Sequence, residues 1–324
     1  MPQETLKTVK IPCTVMRGGT SKGLFFMERD LPPVGQERDT ILLRAMGSPD
    51  RRQIDGMGGA DPLTSKVAII SPSERPDADI DYTFAQVDLH KAIVGYGGNC
   101  GNISSATGLF AIQEGLAKVT EPKTVVRVYN TNTKKVLLVH VPCRDGAPEE
   151  EGTYSIDGVP GTGPRIDVDF SLTTGSFSGK LLPTGNLVDT IDVPEVGPVE
   201  CTIMDMANPV VFICAERLGL SGRELPADIE KMPEMKKKLE AIRMTAGDVV
   251  KIPRNPGLPL LAFVSLPAEG EKEYSIIGRL MFMGVMHEAY SATAAVCTAV
   301  ACRVKGTIAL THTQCLAALA WQVV

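Results

Sequence analysis

The sequence has no basic run, no long uninterrupted hydrophobic stretch and no paired cysteine motif, and each absence excludes a class of protein. A net charge of −5 without a cluster of Lys and Arg argues against nucleic acid as the main partner. The most apolar segment, residues 280–302, is interrupted by polar and charged side chains, so we do not expect it to span a membrane. Neither nucleic acid nor a membrane is therefore an expected partner.

The cysteines and the first residues predict a cytoplasmic protein. Eight cysteines are scattered along the chain without a CxxC pair or a Cys/His zinc spacing, so we predict reduced thiols and no metal site. The first residues lack the apolar core of a secretory signal. Most of the cysteines are expected to be small core residues.

Length and composition predict a globular protein with two domains. The 324 residues are 44% hydrophobic and 22% charged, with many glycines and prolines that suit tight turns. A Gly/Pro cluster at residues 158–164 is the predicted boundary between the two domains. We therefore divide the chain into an N-terminal domain, residues 1–165, and a C-terminal domain, residues 166–324.

A glycine-rich turn at residues 97–102 separates a predicted strand, residues 82–89, from a predicted buried helix, residues 103–114. Cys100 is therefore expected at or just before a helix N-terminus. Unpaired backbone N–H groups and the positive end of the helix dipole stabilise a thiolate or a bound carboxylate there. An ordinary buried cysteine beside a helix cap is the alternative.

A second glycine turn, residues 17–23, connects two short predicted strands. It is not a Walker phosphate loop, because its lysine is followed by glycine and another strand, and not by a hydroxyl residue and a helix. The turn still contains donors that suit a carboxylate: Arg17, Thr20, Ser21 and Lys22. A polar hairpin that binds no ligand is the alternative.

Lys66 directly precedes a predicted apolar strand, residues 67–70, and ends a long loop rich in Gly, Asp, Ser and Thr. Such a loop is costly to order unless it is functional. Desolvation favours the neutral form of a lysine amine, which can then act as a general base. A solvated lysine at a strand end is the alternative.

The second half of the chain contains the same succession of strand, junction and helix that surrounds Cys100, without a strict sequence repeat. A predicted strand, residues 274–283, includes Arg279 and leads to His287 and a small-residue helix, residues 289–302. His287 therefore lies at a strand-to-helix junction, as Cys100 does in the first half. Asn208 lies where two further predicted strands meet.

Three motifs in this order closely resemble the PrpF family of allylic isomerases. They are Arg-Gly-Gly-Thr-Ser-Lys-Gly at 17–23, Asp-Gly-Met-Gly-Gly-Ala-Asp-Pro-Leu-Thr-Ser-Lys at 55–66, and Gly-Asn-Cys-Gly-Asn at 98–102. Further matches extend the resemblance over residues 8–308. The family includes methylaconitate, methylitaconate and aconitate isomerases and 4-oxalomesaconate tautomerase.

The resemblance implies a diaminopimelate-epimerase-like α/β fold. Its two similar domains are each a curved mixed sheet around a central helix, and the site lies in the cleft between them. Lys66 and Cys100 match the acid/base pair of the family. The resemblance implies no cofactor and a homodimer.

The implied reaction is an allylic isomerisation of a small unsaturated di- or tricarboxylate. It is either a 1,3-proton shift, in which the double bond migrates, or a cis-trans isomerisation. Preorganised donors would hold the developing dienolate. The predicted substrate-binding residues are Arg17, Gly19, Thr20, Ser21, Lys22, Ser65, Asn99, Gly101, Asn102, Ser104, Asn208, Arg279 and His287.

The sequence leaves the substrate open. Residues 218–226 look most like the oxalomesaconate tautomerase branch, whereas residues 286–290 look more like the methylaconitate branch. The tail, residues 311–324, does not match the further strands of family members, so we expect a second domain shortened at its end.

Two other functions fit the same scaffold. An amino-acid racemase or epimerase would need two facing thiols, one per domain, whereas the second position here is His287, or Cys297 further into the helix. A paralogue that binds tricarboxylates without turnover is the second alternative.

Overall fold

The computed structural model describes residues 8–271 and 273–312 as two curved sheets, each packed against a central helix. The first sheet contains β1 (Thr14–Gly18), β2 (Ser21–Met27), β3 (Lys66–Pro72), β4 (Ile80–Val87), β5 (Val94–Gly95), β6 (Lys123–Asn130), β7 (Lys135–Arg144), β8 (Ala147–Pro148) and β9 (Asp167–Asp169). The second contains β10 (Asp189–Val193), β11 (Gly197–Met206), β12 (Asn208–Cys214), β13 (Leu260–Ser265), β14 (Ile277–Phe282) and β15 (Val285–Met286). The helices are α1 (Gln36–Met46), α2 (Gly101–Gln113), α3 (Pro226–Glu230), α4 (Pro233–Val249), α5 (Ala292–Ala301) and α6 (Ile308–Thr311).

The first sheet is mixed, and its strands β2 and β3 are buried on both faces. Its strands follow the order β1-β2-β3-β4-β6-β7-β8, with β5 beside β4 and β9 beside β7. The pairs β2/β3 and β4/β6 are parallel, and the other pairs are antiparallel. Along β2, Phe25 packs with α2, whereas Leu24 and Phe26 pack with α1. A strand with two buried faces has a continuous apolar sequence, as residues 24–27 of β2 have.

Helix α2 is the central helix of this half. It is apolar on nearly every side, as expected for a helix enclosed by a sheet, and Ile103, Ala106 and Phe110 are buried. Gly108 permits its close approach to β7, because an added Cβ would lie 2.7 Å from Val139 Cγ1.

The second sheet has the order β10-β11-β12-β13-β14-β15, and only β12/β13 among these pairs is parallel. Its alternating side chains separate two cores. Leu261 and Phe263 of β13 pack with α4, whereas Leu260 and Ala262 pack with α5. Helix α5 therefore takes the position in this half that α2 takes in the first.

The predicted fold class is confirmed: two similar α/β units, each a curved mixed sheet around a central helix. Two details differ. Strand β13 was not predicted, and the helix predicted from residue 289 begins at Ala292, because Ser291 caps it by accepting from Ala294 N.

The boundary between residues 165 and 166 stays a prediction. Strand β9 of the first sheet lies just beyond it and pairs with β7. Of the non-matching tail, residues 313–324 lie outside the described residues. Within the described part of the chain, no helix combines the length and apolarity that crossing a membrane requires.

Candidate active site

A cavity of about 230 Å³ lies between the two sheets, where the N-termini of α2 and α5 meet. Gly101 at the start of α2 lies so close to Ala292 of α5 that an added Cβ would be 2.9 Å from the Ala292 Cβ. The predicted residues that line this cavity are Ser21, Lys66, Asn99, Cys100, Asn102, Asn208 and His287. The structure thus brings Lys66 and Cys100 to one cleft.

Cys100 is the N-cap residue of α2, in extended backbone conformation and nearly buried. Its side chain does not cap the helix, and Sγ lies 4.0 Å from Ser21 Oγ on β2. Ser104, one turn into the helix, donates to the Cys100 carbonyl oxygen (2.9 Å) and to Asn99 Oδ1 (3.1 Å). The thiol is therefore held at the positive end of a 13-residue helix.

Lys66 is the first residue of β3 and is buried, so the predicted desolvation of this side chain is observed. Its Nζ donates to Oε1 of Gln86 (2.8 Å), the residue directly opposite on β4. Gln86 donates its own amide N–H groups to Pro62 O and Ser65 O, which fixes the orientation of that amide.

Aromatic rings from both sheets enclose the Lys66 amine. Nζ lies 5.3 Å from the ring centroid of Phe84 on β4 and 5.5 Å from that of Phe282 on β14. Ring faces at this distance stabilise an ammonium ion while excluding water. The rings can therefore accommodate the charge that this amine acquires when it accepts a proton.

Asn208 joins the two halves at the floor of the cavity. Its Nδ2 donates to Asn99 O (2.9 Å) and to Thr293 Oγ1 (3.0 Å), and its Oδ1 accepts from Asn99 N (3.3 Å). Ala207, directly before it, has φ 61, a conformation that non-glycine residues rarely adopt. Backbone strain is thus found where the hairpin β11–β12 aims Asn208 at the first sheet.

His287 borders the cavity from the second sheet. Burial and the positive charge of Lys66 lower its pKa to about 4, so the ring is neutral at physiological pH. Ala289 N donates to its Nδ1 (3.1 Å), so Nδ1 is an acceptor and the neutral ring carries its proton on Nε2. His287 is therefore a fixed, uncharged donor.

This pKa predicts a specific loss of stability in mild acid. The unfolded chain binds a proton at His287 near pH 6.5, whereas the folded chain binds it only near pH 4. The free energy of unfolding should therefore fall by about 3 kcal/mol as the pH decreases from 6.5 to 4. Urea unfolding across this range should be flatter for His287→Gln, whereas His90→Gln, at an exposed position, should keep the wild-type slope.

Five of the predicted binding residues lie along a second cavity of about 980 Å³, beside the hairpin β1–β2: Arg17, Gly19, Thr20, Gly101 and Asn102. Asn102 borders both cavities, and its Nδ2 donates to Thr20 Oγ1 (3.2 Å). The Arg17 guanidinium donates to Gly19 O (2.9 Å). The hairpin therefore supports Asn102, and a direct role of Arg17 in binding stays a prediction.

The other predicted residues, Lys22, Ser65, Ser104 and Arg279, border neither cavity. Ser65 donates to Gln53 Oε1 (2.9 Å) and Asp61 O (2.8 Å), which orders the loop before Lys66. Arg279 donates to Glu224 O (2.6 Å). Side chains alternate along β14, so Arg279 lies on the face opposite Phe282.

Several cavity residues were not predicted from the sequence. Phe84 and Gln86 lie two apart on β4, and the alternation recognised there carries the signal that they share a face. Phe282, Ser291 and Thr293 reach the cavity through the docking of the two halves, for which the sequence has no local signal. The rest of the wall consists of residues between 88 and 98, the loop at residues 255–258, Leu260 and Met283.

Buried Arg243 of α4 holds this loop. It donates to Leu258 O (2.8 Å) and Asn255 O (3.1 Å) and pairs with Glu240. Leu258 in turn lies next to Gly98 of the first half. The loop thus closes the cleft against the glycine turn that precedes Cys100.

Neither a second thiol nor a metal site borders the cavity in the described residues. Cys297 lies within α5 against Met204 O (3.6 Å), and burial raises its pKa far above the usual range. No group of three or more His, Cys, Asp or Glu side chains in residues 8–271 and 273–312 is placed to hold a metal ion. The second half presents His287 to the cleft.

Known proteins match nearly the whole chain. The family described as PrpF protein matches residues 8–317. The 3-methylitaconate isomerase of Eubacterium barkeri is 45% identical over 318 residues, which is 93% of this chain and 83% of that protein. The chain belongs to the PrpF family. The 4-oxalomesaconate tautomerase of Pseudomonas putida is 44% identical, covering 93% of this chain and 81% of that protein.

Solved structures agree with this membership. The crystal structure of methylitaconate-delta-isomerase matches with a TM-score of 0.76 and 44% identity, covering 94% of this chain and 84% of that one. A probable proline racemase from Agrobacterium radiobacter matches with a TM-score of 0.57 at 14% identity, which shows the shared fold alone. The predicted class of this PrpF protein, an isomerase, is confirmed by its named relatives.

Proposed function

We propose that this PrpF protein is an allylic isomerase that moves a double bond within a small unsaturated di- or tricarboxylate. One observation carries the proposal: Lys66 and Cys100, from a strand and a helix N-terminus, border the same cavity between the two sheets. Relatives named for isomerisation of methylitaconate and tautomerisation of oxalomesaconate support the substrate class.

The reaction is a proton transfer in two steps. The Lys66 amine takes a proton from the carbon γ to a carboxylate or keto group. The C–H electron pair becomes the new double bond, and the former double-bond pair moves toward that group as a dienolate. The Cys100 thiol then protonates the α carbon, and before the next turnover Lys66 releases its proton and the thiolate regains one, through solvent. No electron is gained or lost, so the reaction requires no redox cofactor.

The surroundings suit a negatively charged intermediate. Phe84 and Phe282 stabilise the ammonium that Lys66 becomes. The N-terminus of α2 presents backbone N–H groups and the positive end of its dipole. Nε2 of His287 is a donor whose charge does not change above pH 4.

The amino-acid racemase alternative has less support. It needs a second thiol facing Cys100, and Cys297 borders neither cavity. The remote racemase structure shares the fold with this chain and carries no functional argument at 14% identity.

Proton NMR in D2O tests the proposal. The purified protein is mixed in turn with 3-methylitaconate, 2-methylaconitate, aconitate and 4-oxalomesaconate. We expect a shifted double bond, with deuterium on the carbon that receives the new C–H bond. Exchange of an amino-acid α-proton in place of these reactions would indicate a racemase. Thermal stabilisation by these acids without any exchange would indicate a protein that binds them without turnover.

A further inference from the structure

The segment at residues 173–181 connects the first sheet to the second and wraps around the end of β11. It lies between β9 and β10 in the chain. Gly175 N donates to Asp205 O (2.8 Å), and Asp205 N donates to Leu181 O (2.8 Å). The chain therefore enters the second half while hydrogen-bonded to the strand end that precedes Asn208.

The buried side chain of Asp205 holds this segment. Oδ1 accepts from Ser176 N (3.1 Å) and lies 2.7 Å from Ser176 Oγ. Oδ2 accepts from Phe177 N (2.9 Å) and Ser178 N (2.7 Å) and lies 2.8 Å from Ser178 Oγ. A buried carboxylate is costly unless hydrogen bonds satisfy it, and its ionised form only accepts. Backbone N–H and hydroxyl groups supply these bonds here, so the carboxylate and the bend at 176–178 fix each other.

The same contacts support the residue before Asn208. Ser176 Oγ also lies 3.1 Å from Ala207 O, and Ala207 N donates to Thr173 O (3.3 Å). Ala207 has φ 61, a conformation that persists only where the surrounding structure holds it. The segment at 173–181 provides that support directly before Asn208.

Asn208 extends this order to the backbone next to Cys100. Its side-chain amide accepts from Asn99 N and donates to Asn99 O, so both main-chain polar groups of Asn99 are paired across the cleft. Asn99 directly precedes Cys100, the N-cap residue of α2. The position of the thiol is therefore fixed from the second half of the chain as well as from α2.

We propose that Asp205 is a positioning residue for the isomerisation. By holding the segment at 173–181 it fixes Asn208, and Asn208 in turn fixes the Cys100 thiol against the bound substrate. Asp205 borders neither cavity, so it acts without touching the substrate. The effect on catalysis rests on the proposed function, whereas the effect on the Asn99 backbone does not.

Steady-state kinetics of Asp205→Asn tests the effect on catalysis. The amide nitrogen of Asn cannot accept, so one of the two sets of donors loses its partner. We expect kcat to fall by about 100-fold, the loss that a displacement of about 1 Å can cause, while KM stays near the wild-type value. Asp189→Asn is the matched control, because Asp189 also orders a loop, through Thr184 and Asn186, and borders neither cavity. It should keep the wild-type kcat.

A double-variant cycle tests whether Asp205 acts through Asn208. In the Asn208→Ala protein, the added change Asp205→Asn should lower kcat no further, because the contact that transmits its effect is already absent. Effects that multiply would show that the two residues act independently, and the inference would be wrong.

Hydrogen exchange measured by mass spectrometry tests the backbone effect without any substrate. We expect amides at residues 97–103 to exchange about 10-fold faster in Asp205→Asn, because Asn99 N loses its fixed acceptor. Residues 123–130 of β6 should keep their protection. If this variant does not fold, Ser176→Ala removes one hydroxyl from the same carboxylate and should change kcat and exchange in the same direction by less.

Two exchange results would overturn the inference. Unchanged exchange at 97–103 would show that Asp205 does not fix the Asn99 backbone, and equally faster exchange at 123–130 would show that it only stabilises the fold. A wild-type protein that isomerises none of the acids would instead overturn the proposed function, and the exchange result would still decide whether Asp205 fixes this backbone.

Discussion

Replacing Lys66 by Met is expected to lower kcat/KM by roughly 10⁴-fold, the upper range for loss of a general base. The amine is the group placed to take the γ-proton, and no second Lys is among the described residues that border the cavity. Methionine is unbranched, flexible and only one atom shorter than lysine, so it can still fill the space between Phe84 and Phe282. The measurement is initial rate by NMR with the preferred acid.

The fold should survive this change. Gln86 Oε1 loses one hydrogen-bond donor, which costs about 1 kcal/mol. The thermal midpoint should therefore fall by a few degrees only. Lys118→Met, at an exposed position after α2, is the matched control and should keep the wild-type rate. Near-normal turnover by a folded Lys66→Met protein would show that another group is the base.

Local signals in the sequence were sufficient to predict where the two proposed acid/base residues, Lys66 and Cys100, lie in the fold. The glycine turn and the apolar run after it predicted Cys100 at a helix N-terminus, and α2 begins at the next residue. The boundary between a polar loop and an apolar strand predicted a desolvated Lys66, and β3 begins with that residue. Both predictions depend on neighbours within a few positions along the chain.

The cations were harder to place, because their positions depend on contacts between distant segments. Arg279 lies on a strand next to residues of the cavity, yet period-two alternation puts it on the other face with Met281. Phe282 and Phe84 lie about 200 residues apart and meet only at Lys66, where the two sheets dock.

Strand β13 was missed although its sequence is a continuous apolar run between prolines, the pattern of a strand buried on both faces. Its place beside β12 completes the second sheet and sets the loop at 255–258 over the cleft. Strand β13 could therefore have been predicted from the sequence, whereas its role in closing the site depends on tertiary structure.

Replacing Cys100 by Ala is expected to lower isomerisation by about 10³-fold, within the usual range for a proton-transferring group. The thiol is the group proposed to protonate the α carbon, whereas Lys66 removes the γ-proton. Cys100→Ala in D2O should therefore still exchange the γ-proton for deuterium while forming little product, and Lys66→Met should do neither. Product formation is followed by the shifted vinyl signals, and exchange by loss of the γ-proton signal.

Cys13→Ala serves as the control, since Cys13 precedes β1 and borders neither cavity. If Cys100→Ala lost exchange and isomerisation together, the thiol would take part in removing the γ-proton, and the division of roles between the two residues would be wrong. If it lost neither, Cys100 would be a structural residue at a helix cap. Because the two variants are compared on two carbons of the same substrate, the pattern of deuterium identifies which side chain serves which carbon.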